Sequence, residues 1–336
     1  MYRKIWFDQS WLTMGGIGRF SKEIYERKQW GGIFTLKGKP SSPLSALLLS
    51  FKFMEFSKND IIFCPGYIPP LISKCNFIFT IHDLNHLDRK ENSNFFKIFF
   101  YNKIIKKGCF TSNRILTVSE FSKKRIIEWS GVPENKVVNV GNGVDDSFNI
   151  RVNPLALGYP YLLCVSNRKL HKNEPSLIKA FSKANIDPAI KLLFTGNPTT
   201  ELTALIDELN LSERIVFHGF VNESELPSLY RGSLGLLFPS LYEGFGLPIL
   251  EAMACGIPVL TSNVTSLPEV AGDAALLVNP YSIDDIADGI NQLTTNKDLR
   301  TMLVERGIVR AKMFTWDKVA ERVQQVLEQV ANEHIK

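Results

Sequence analysis

The stretch from Leu234 to Gly256, LGLLFPSLYEGFGLPILEAMACG, constrains the fold more than any other part of the chain. Leu234 to Pro239 is an apolar run of strand length. Ser240 to Leu247 is a loop with two glycines, Gly244 and Gly246. Pro248 to Cys255 suits a short helix, with proline in its first turn and Gly256 at its stop. Ile257 to Leu260 is a second apolar run. Strand, loop, helix and strand in that order make a βαβ unit, which belongs to a parallel sheet covered by helices. In such sheets ligands lie beyond the carboxyl ends of the strands, where loops enter helices. Glu243 falls in that loop, and Glu251 one turn into the helix. Acceptor carboxylates and donor amides at one helix mouth suit a polyhydroxylated, anionic ligand, and a sugar nucleotide fits that description.

The same alternation recurs along all 336 residues, a length that accommodates two ordinary domains. Strand-length runs lie at residues 3–7, 59–64, 76–81, 114–118 and 137–140, and again at 161–165, 191–195 and 214–218. The pattern lapses near Pro154 and Gly158, which places a domain boundary there, between 1–155 and 156–315. Residues 31–60 resist assignment. Gly31, Gly32, Gly38, Pro40 and Pro43 indicate loop, and 44–56 an amphipathic or buried helix. The fold class expected is α/β, with two Rossmann-like, doubly wound domains.

Hydrophobic residues make up 45% and charged residues 22%, which excludes a disordered chain. No apolar run approaches the roughly 18 residues of a spanning helix, and MYRKIWFDQSW has too short an apolar core for a signal peptide. Cys64, Cys75, Cys109, Cys164 and Cys255 form no CxxC pair, which argues for a reducing compartment and against a disulfide framework or a zinc site. The expected location is cytoplasmic, either free or peripheral on the inner face of the cytoplasmic membrane. Charge is unevenly divided: 22 Lys and Arg stand against 13 Asp and Glu in residues 1–150 (net +9), and 17 against 21 in 151–336 (net −4). A basic first half suits anionic lipid or nucleic acid, or is simply a lysine-rich composition. In residues 95–108 (FFKIFFYNKIIKKG), Phe96, Phe99, Phe100, Ile104 and Ile105 form an i, i+3, i+4 stripe. Such a helix either packs on the sheet or lies against a membrane. The favoured reading is a packed helix whose basic face attracts lipid phosphates.

Three further loops are candidates. Met14-Gly15-Gly16-Ile17-Gly18-Arg19 reads as a turn before a helix from about Phe20; it suits phosphate contact or is a plain tight turn. It is neither a P-loop nor the six-residue dinucleotide fingerprint, which disfavours a dehydrogenase. His82-Asp83 ends a strand run, where a structural hydrogen bond and a functional role weigh about evenly. Ser166-Asn167-Arg168-Lys169-Leu170-His171-Lys172-Asn173 brings cations to a strand tip before a helix. That placement suits a diphosphate, with a solvated basic turn as the plain alternative.

These pieces together resemble the family 4 retaining glycosyltransferases. Glu243 and Glu251 within PSLYEGFGLPILEAMACGIPVLTSN carry the likeness, with GGIGRF, IHD at 81–83, TVSEFSKK at 117–124, NGVD at 142–145, NRKLHKN at 167–173 and SLPEVAGDAALLVNP at 266–280 following in order. The chain looks most like the bacterial branch that builds O-antigen and related polysaccharides, where mannosyltransferases are common. The resemblance implies the GT-B architecture, two Rossmann-like domains facing across a cleft. The second domain would hold the nucleotide-sugar, the first would contact the acceptor, and a final helix at about 316–336 would return to the first domain.

The resemblance also implies residue roles. Glu251 takes the ribose hydroxyls, and Glu243 the donor sugar beside the reacting carbon. The amides of Gly244, Phe245, Gly246 and Leu247 hold sugar hydroxyls. Arg168 and Lys172 neutralise the leaving diphosphate, and Gly16 lets its backbone approach that phosphate. His82 contacts the sugar, and Gly219, Phe220 and Val221 line the base pocket. The implied reaction is glycosyl transfer with retention, from a nucleotide-sugar (GDP-mannose first) to a lipid-linked or saccharide acceptor. No metal and no cofactor is expected: no DxD motif is present, and Asp145-Asp146 and Asp284-Asp285 lack its setting. No nucleic-acid partner is expected. A sugar-nucleotide hydrolase or epimerase would need a water-activating carboxylate, and none stands out. A non-catalytic partner of another transferase would be expected to have lost a charged site residue, and none is lost.

Overall fold

The computed structural model describes residues 4–333; the expected start of the first strand at Arg3 and the end of the final helix at 334–336 fall outside them. The chain divides into two compact units, residues 1–143 with 316–336, and residues 144–315. Each carries one six-stranded sheet, parallel throughout.

The first sheet contains β1 (Ile5–Asp8), β2 (Gly32–Phe34), β3 (Ile61–Cys64), β4 (Asn76–Thr80), β5 (Arg114–Thr117) and β6 (Val137–Asn139), in the order β2-β1-β3-β4-β5-β6. The second contains β7 (Tyr161–Cys164), β8 (Lys191–Phe194), β9 (Ile215–Phe217), β10 (Gly235–Phe238), β11 (Val259–Ser262) and β12 (Leu276–Val278), in the order β12-β11-β10-β7-β8-β9. The central strands β3, β7 and β10 (IIFC, YLLC and GLLF) are buried at every residue, as helices on both faces require. β2 and β12 were not anticipated. Each is a three-residue edge strand, and β2 starts on a glycine that reads locally as loop.

Residues 144–155, expected to close the first domain, lie with the second unit. There Leu155 N–H donates to Ser228 O (2.9 Å), and Ile150 O accepts from Arg231 Nε (3.3 Å). Val144 and Thr315, the first and last residues of that unit, form a parallel bridge. The helix Trp316–Glu333 is part of the first unit. It turns Val319, Val323, Leu327 and Val330 inward, sets Trp316 against Phe20 (ring centroids 6.4 Å), and gives Arg322 Nη1 to Val140 O (3.1 Å).

The glycine-rich segment differs from its expected form. The helix begins at Gly15, not near Phe20, and runs Gly15–Glu26, so the glycines form its first turn. A Cβ at Gly18 would come within 2.8 Å of Leu12 O, which makes Gly18 a packing requirement, whereas Gly15 and Gly16 face open space. Asp8, at the tip of β1, is fully buried. Its Oδ1 accepts from Ser10 N (3.0 Å) and Ser10 Oγ (2.5 Å), while Oδ2 has no partner. Burial raises its carboxyl from the ordinary 3.8 to about 6, against the hydrogen bonds of Ser10.

A proton is therefore held more tightly in the folded state than in the unfolded chain, and the native state binds more protons between about pH 4 and pH 6. The first unit should lose stability as pH rises through that window, by up to roughly 3 kcal/mol from this group. Denaturation midpoints at pH 4.5 and 7 should differ less in Asp8→Asn than in the wild type; an unchanged difference would exclude Asp8 as the source.

Candidate active site

Because β7 and β10 are hydrogen-bonded parallel neighbours, their following loops leave the same edge of the second sheet. After β7 the chain makes a short 3-10 turn, Leu170–Lys172, then Asn173 at φ 61°, then the helix Glu174–Lys183. After β10 it forms the loop 239–246 and the helix Leu247–Ala254, capped by Gly246 at φ 109°. Two cross-braces hold the loops together. Leu241 N–H donates to His171 O (2.7 Å), and Asn173 Nδ2 donates to Pro239 O (3.0 Å) and Pro280 O (2.8 Å).

Lys172 and Glu243, seventy-one positions apart, form an ion pair at 2.7 Å with side chains 13% and 14% exposed. The ammonium also lies 4.8 Å from the Phe238 ring. Glu243 is fixed through its backbone: its N–H donates to Thr265 Oγ1 (3.3 Å), and Ser266 Oγ donates to Glu243 O and Phe245 O (both 2.9 Å). Thr265 and Ser266 are a clamp on the loop that reading the sequence did not single out. The signal was their place directly after β11, the next strand in the sheet.

Arg168 faces the other side of the β7 tip. It sits at φ 64°, with its guanidinium over Phe194 and Phe217 (5.4 and 5.1 Å), donating to Asn197 O (2.9 Å), to Thr195 O and to Glu174. Glu174 was also missed. It is the first residue of its helix, 4% exposed, and burial pushes its carboxyl above the usual value against the pull of Ser166, Arg168 and Lys172. A charged residue directly ahead of an apolar helix, in NEPSLIKAF, was the available signal. Lys169 stays exposed and joins neither pair.

Glu251 accepts from Tyr230 Oη (2.8 Å), whose phenol is held well above its usual range by burial, Glu251, Cys255 and Cys164. The buried Cys164 thiol, at the end of β7, is pushed up by burial and feels Glu174, Arg168 and Lys172. Of the four charged residues expected at this site, Lys172 and Glu243 are in direct contact, Arg168 pairs with Glu174, and Glu251 bonds to Tyr230. Phe245 is 6% exposed and packs edge-on against Phe314 (5.9 Å); Gly244 and Gly246 are buried beside it, and Leu247 is half-buried. Gly219, at φ 80°, follows β9 and accepts from Gly196 N–H (2.6 Å). Phe220 projects at 85% exposure, and Val221 is half-buried.

In the first unit, His82 follows the tip of β4. Its Nε2 contacts Pro65 O (3.0 Å), its ring stands edge-on to Phe20 (5.1 Å) in the helix that begins Gly15-Gly16, and its carbonyl accepts from Ser122 Oγ (3.1 Å). Burial lowers the imidazole pKa, opposed by the Pro65 carbonyl and Asp83, so the ring favours the neutral form.

Two family models cover the chain: Glycosyltransferase Family 4 matches residues 11–148 and Glycosyl transferases group 1 matches residues 145–310. The O-antigen chain mannosyltransferase B of Escherichia coli is 31% identical over 265 residues, 75% of this chain and 69% of that protein. The chain belongs to this glycosyltransferase family. The serotype-specific mannosyltransferase WbdA of Escherichia coli is 29% identical over 259 residues, and the matched part spans about a third of its length (32%). Sucrose-phosphate synthase from Thermosynechococcus elongatus superposes with a TM-score of 0.77 at 17% identity, over 98% of this chain and 99% of that one, which is a likeness of fold. The architecture is GT-B, and the glycosyltransferase is a transferase by family.

The Arg168–Glu174 pair joins a buried carboxylate to a largely buried guanidinium, with side chains 5% and 15% exposed. Glu174→Leu should destabilise the second unit by about 3–5 kcal/mol, because it leaves Arg168 without its counter-charge. The double variant Arg168→Met/Glu174→Leu should recover most of that loss in a denaturant double-mutant cycle. Additive losses would mean that the two groups do not stabilise one another.

Proposed function

We propose that this glycosyltransferase is a retaining, metal-independent mannosyltransferase. It takes mannose from GDP-mannose and passes it to a lipid-linked or saccharide acceptor in the synthesis of O-antigen or a related surface polysaccharide. It works in the cytoplasm, at the inner face of the membrane that holds such acceptors. The observation that carries the reading is the Lys172–Glu243 pair at the β7 and β10 tips, inside the segment most like the family. The mannosyltransferase names of the relatives support the choice of sugar.

Lys172 and Arg168 neutralise the leaving diphosphate. An incoming donor competes with Glu243 for Lys172, so the carboxylate turns to the sugar as the ammonium turns to phosphate. Glu251 accepts from the ribose hydroxyls with one oxygen while Tyr230 holds the other. The amides of Gly244 to Leu247 meet sugar hydroxyls, and Phe220, standing free of the core, offers a face to the base. Gly16, where an added Cβ would meet nothing within 4 Å, and His82, whose imidazole favours the neutral form, are assigned to phosphate and to sugar in this reading. In the reaction the bond from C1 to the diphosphate oxygen breaks through an oxocarbenium-like state. The acceptor oxygen bonds to C1 on the same face, and its proton passes to the departing phosphate oxygen.

In thermal-shift measurements, GDP-mannose at a hundred times its Kd should stabilise the second unit by about 2.7 kcal/mol, a rise of roughly 5–10 °C in the transition of that unit. A larger rise with a UDP-, dTDP- or ADP-sugar at the same concentration would replace the donor. Lys172→Ala should lower kcat about 10²–10³-fold, and chelator should leave wild-type turnover intact. Near-normal turnover in Lys172→Ala would remove the phosphate role, loss of turnover in chelator would remove metal independence, and an inverted anomer in the product would remove retention.

A further inference from the structure

The expected stripe on residues 95–108 does not pack as a whole. The helix runs as Phe95–Phe100, a π-turn at Tyr101–Ile105, and Lys106–Thr111. Tyr101 and Ile105 are buried, but Phe95, Phe96, Ile98 and Phe99 are 76%, 81%, 42% and 53% exposed. The first turn overhangs the core and is held in shape by Asn94, whose Oδ1 caps Lys97 N–H (2.9 Å).

A second apolar surface stands on the helix Ser45–Phe53. Its inner side, Ala46, Leu49 and Phe53, is buried. Its outer side repeats at i, i+3, i+4 and i+7 with Leu44, Leu47, Leu48 and Phe51, exposed 68%, 43%, 40% and 60%. A helix facing water carries polar residues on that stripe; this one carries none.

The connector 67–72 joins the two. Tyr67 stacks on Tyr101 (6.0 Å), Pro69 lies against Gly108, and Leu71 N–H donates to Ala46 O (3.3 Å) and Ser50 Oγ (2.8 Å). Ile72 follows at 76% exposure. Both helices contribute to one core cluster with β3 and β4.

The charge around this surface is positive. Lys97, Lys103 and Lys107 are exposed, and Lys103 and Lys107 pair with no carboxylate among the described residues. The nearby acids are engaged: Glu55 with Lys52, Asp88 with Arg125 and Glu91 with Arg89. A second copy seated symmetrically would bring the same lysines against these. Phosphate headgroups above an acyl layer match both halves of the pattern, with lysine at the phosphates and phenylalanine and leucine beneath them.

We propose that the outer stripe of helix Ser45–Phe53 and the overhanging turn Phe95–Phe99 form a docking face for an anionic lipid bilayer. No helix among the described residues is long and apolar enough to cross a membrane, so attachment by this face is peripheral. The assay needs neither donor nor acceptor, so its outcome is independent of the proposed reaction. The full-length protein is centrifuged with vesicles of phosphatidylcholine alone or of phosphatidylcholine with phosphatidylglycerol. The wild type should sediment with the mixed vesicles, less so at high salt, and stay in solution with phosphatidylcholine. The double variants Phe96→Ser/Phe99→Ser and Leu47→Ser/Phe51→Ser should each lower binding about tenfold or more, and Lys103→Gln/Lys107→Gln about tenfold at low salt. Because all six side chains are exposed, circular dichroism should match the wild type. The proposal is overturned if the wild type ignores both vesicles, if the variants bind as it does, or if sedimentation velocity shows the same face forming dimers without vesicle binding.

Discussion

Parallel pairing of β7 with β10 is the constraint on which the site rests. Two strands with a common direction and shared hydrogen bonds must release their following loops at the same edge of the sheet. That brings the loops of Lys172 and Glu243 together from distant parts of the second unit, and the two side chains pair at 2.7 Å. Each neighbouring strand then adds a support. The β11 end supplies Thr265 and Ser266, the β12 end supplies Pro280 O, and the β8 end supplies Thr195 O and Asn197 O. The site is a row of strand ends, and its precision is that of the sheet.

Its electrostatics are organised as pairs. Lys172 faces Glu243, Arg168 faces Glu174, and Tyr230 faces Glu251. A buried charge without a partner costs several kcal/mol, so each largely buried cation here stands against a carboxylate. The two cations differ in how firmly they are kept. Lys172 is a point charge on a flexible stem with one acidic partner. Arg168 spends its planar fork on a carboxylate and two carbonyls while lying over two aromatic rings. Arg168 is therefore held by more contacts than Lys172.

The sequence reveals the central strands readily, because strands buried on both faces must be uninterrupted apolar runs. It hides β2, which begins on a glycine in a loop-like stretch, and β12; short length and edge position alone do not hide a strand, because β6 and β9 are equally short, lie at the opposite edges and are legible. Glycine misleads at Gly15, where its turn preference masks the first turn of a helix. Helical periodicity identifies a stripe at 95–108 but not how far the core extends beneath it, so Phe96 and Phe99 read as buried and are exposed. Within the site, residue types at strand ends point to Arg168, Lys172, Glu243 and Glu251. Tyr230 and Ser266 escape because their partners, Glu251 and the Glu243 and Phe245 carbonyls, lie about twenty residues away, and Glu174 escapes because its pairing with Arg168, six residues earlier, depends on a backbone angle, φ 64° at Arg168.

The helix Trp316–Glu333 has a consequence for how the protein is made. The second unit is one continuous segment, but the first needs Trp316, Val323 and Val330, which are translated after the whole of the second. On the ribosome the usual order of maturation is therefore reversed, with the later-synthesised unit able to complete its core first. Until then the helix that begins Gly15-Gly16 lacks the indole that covers Phe20. During that interval the nascent amino-terminal half is the part most in need of a chaperone.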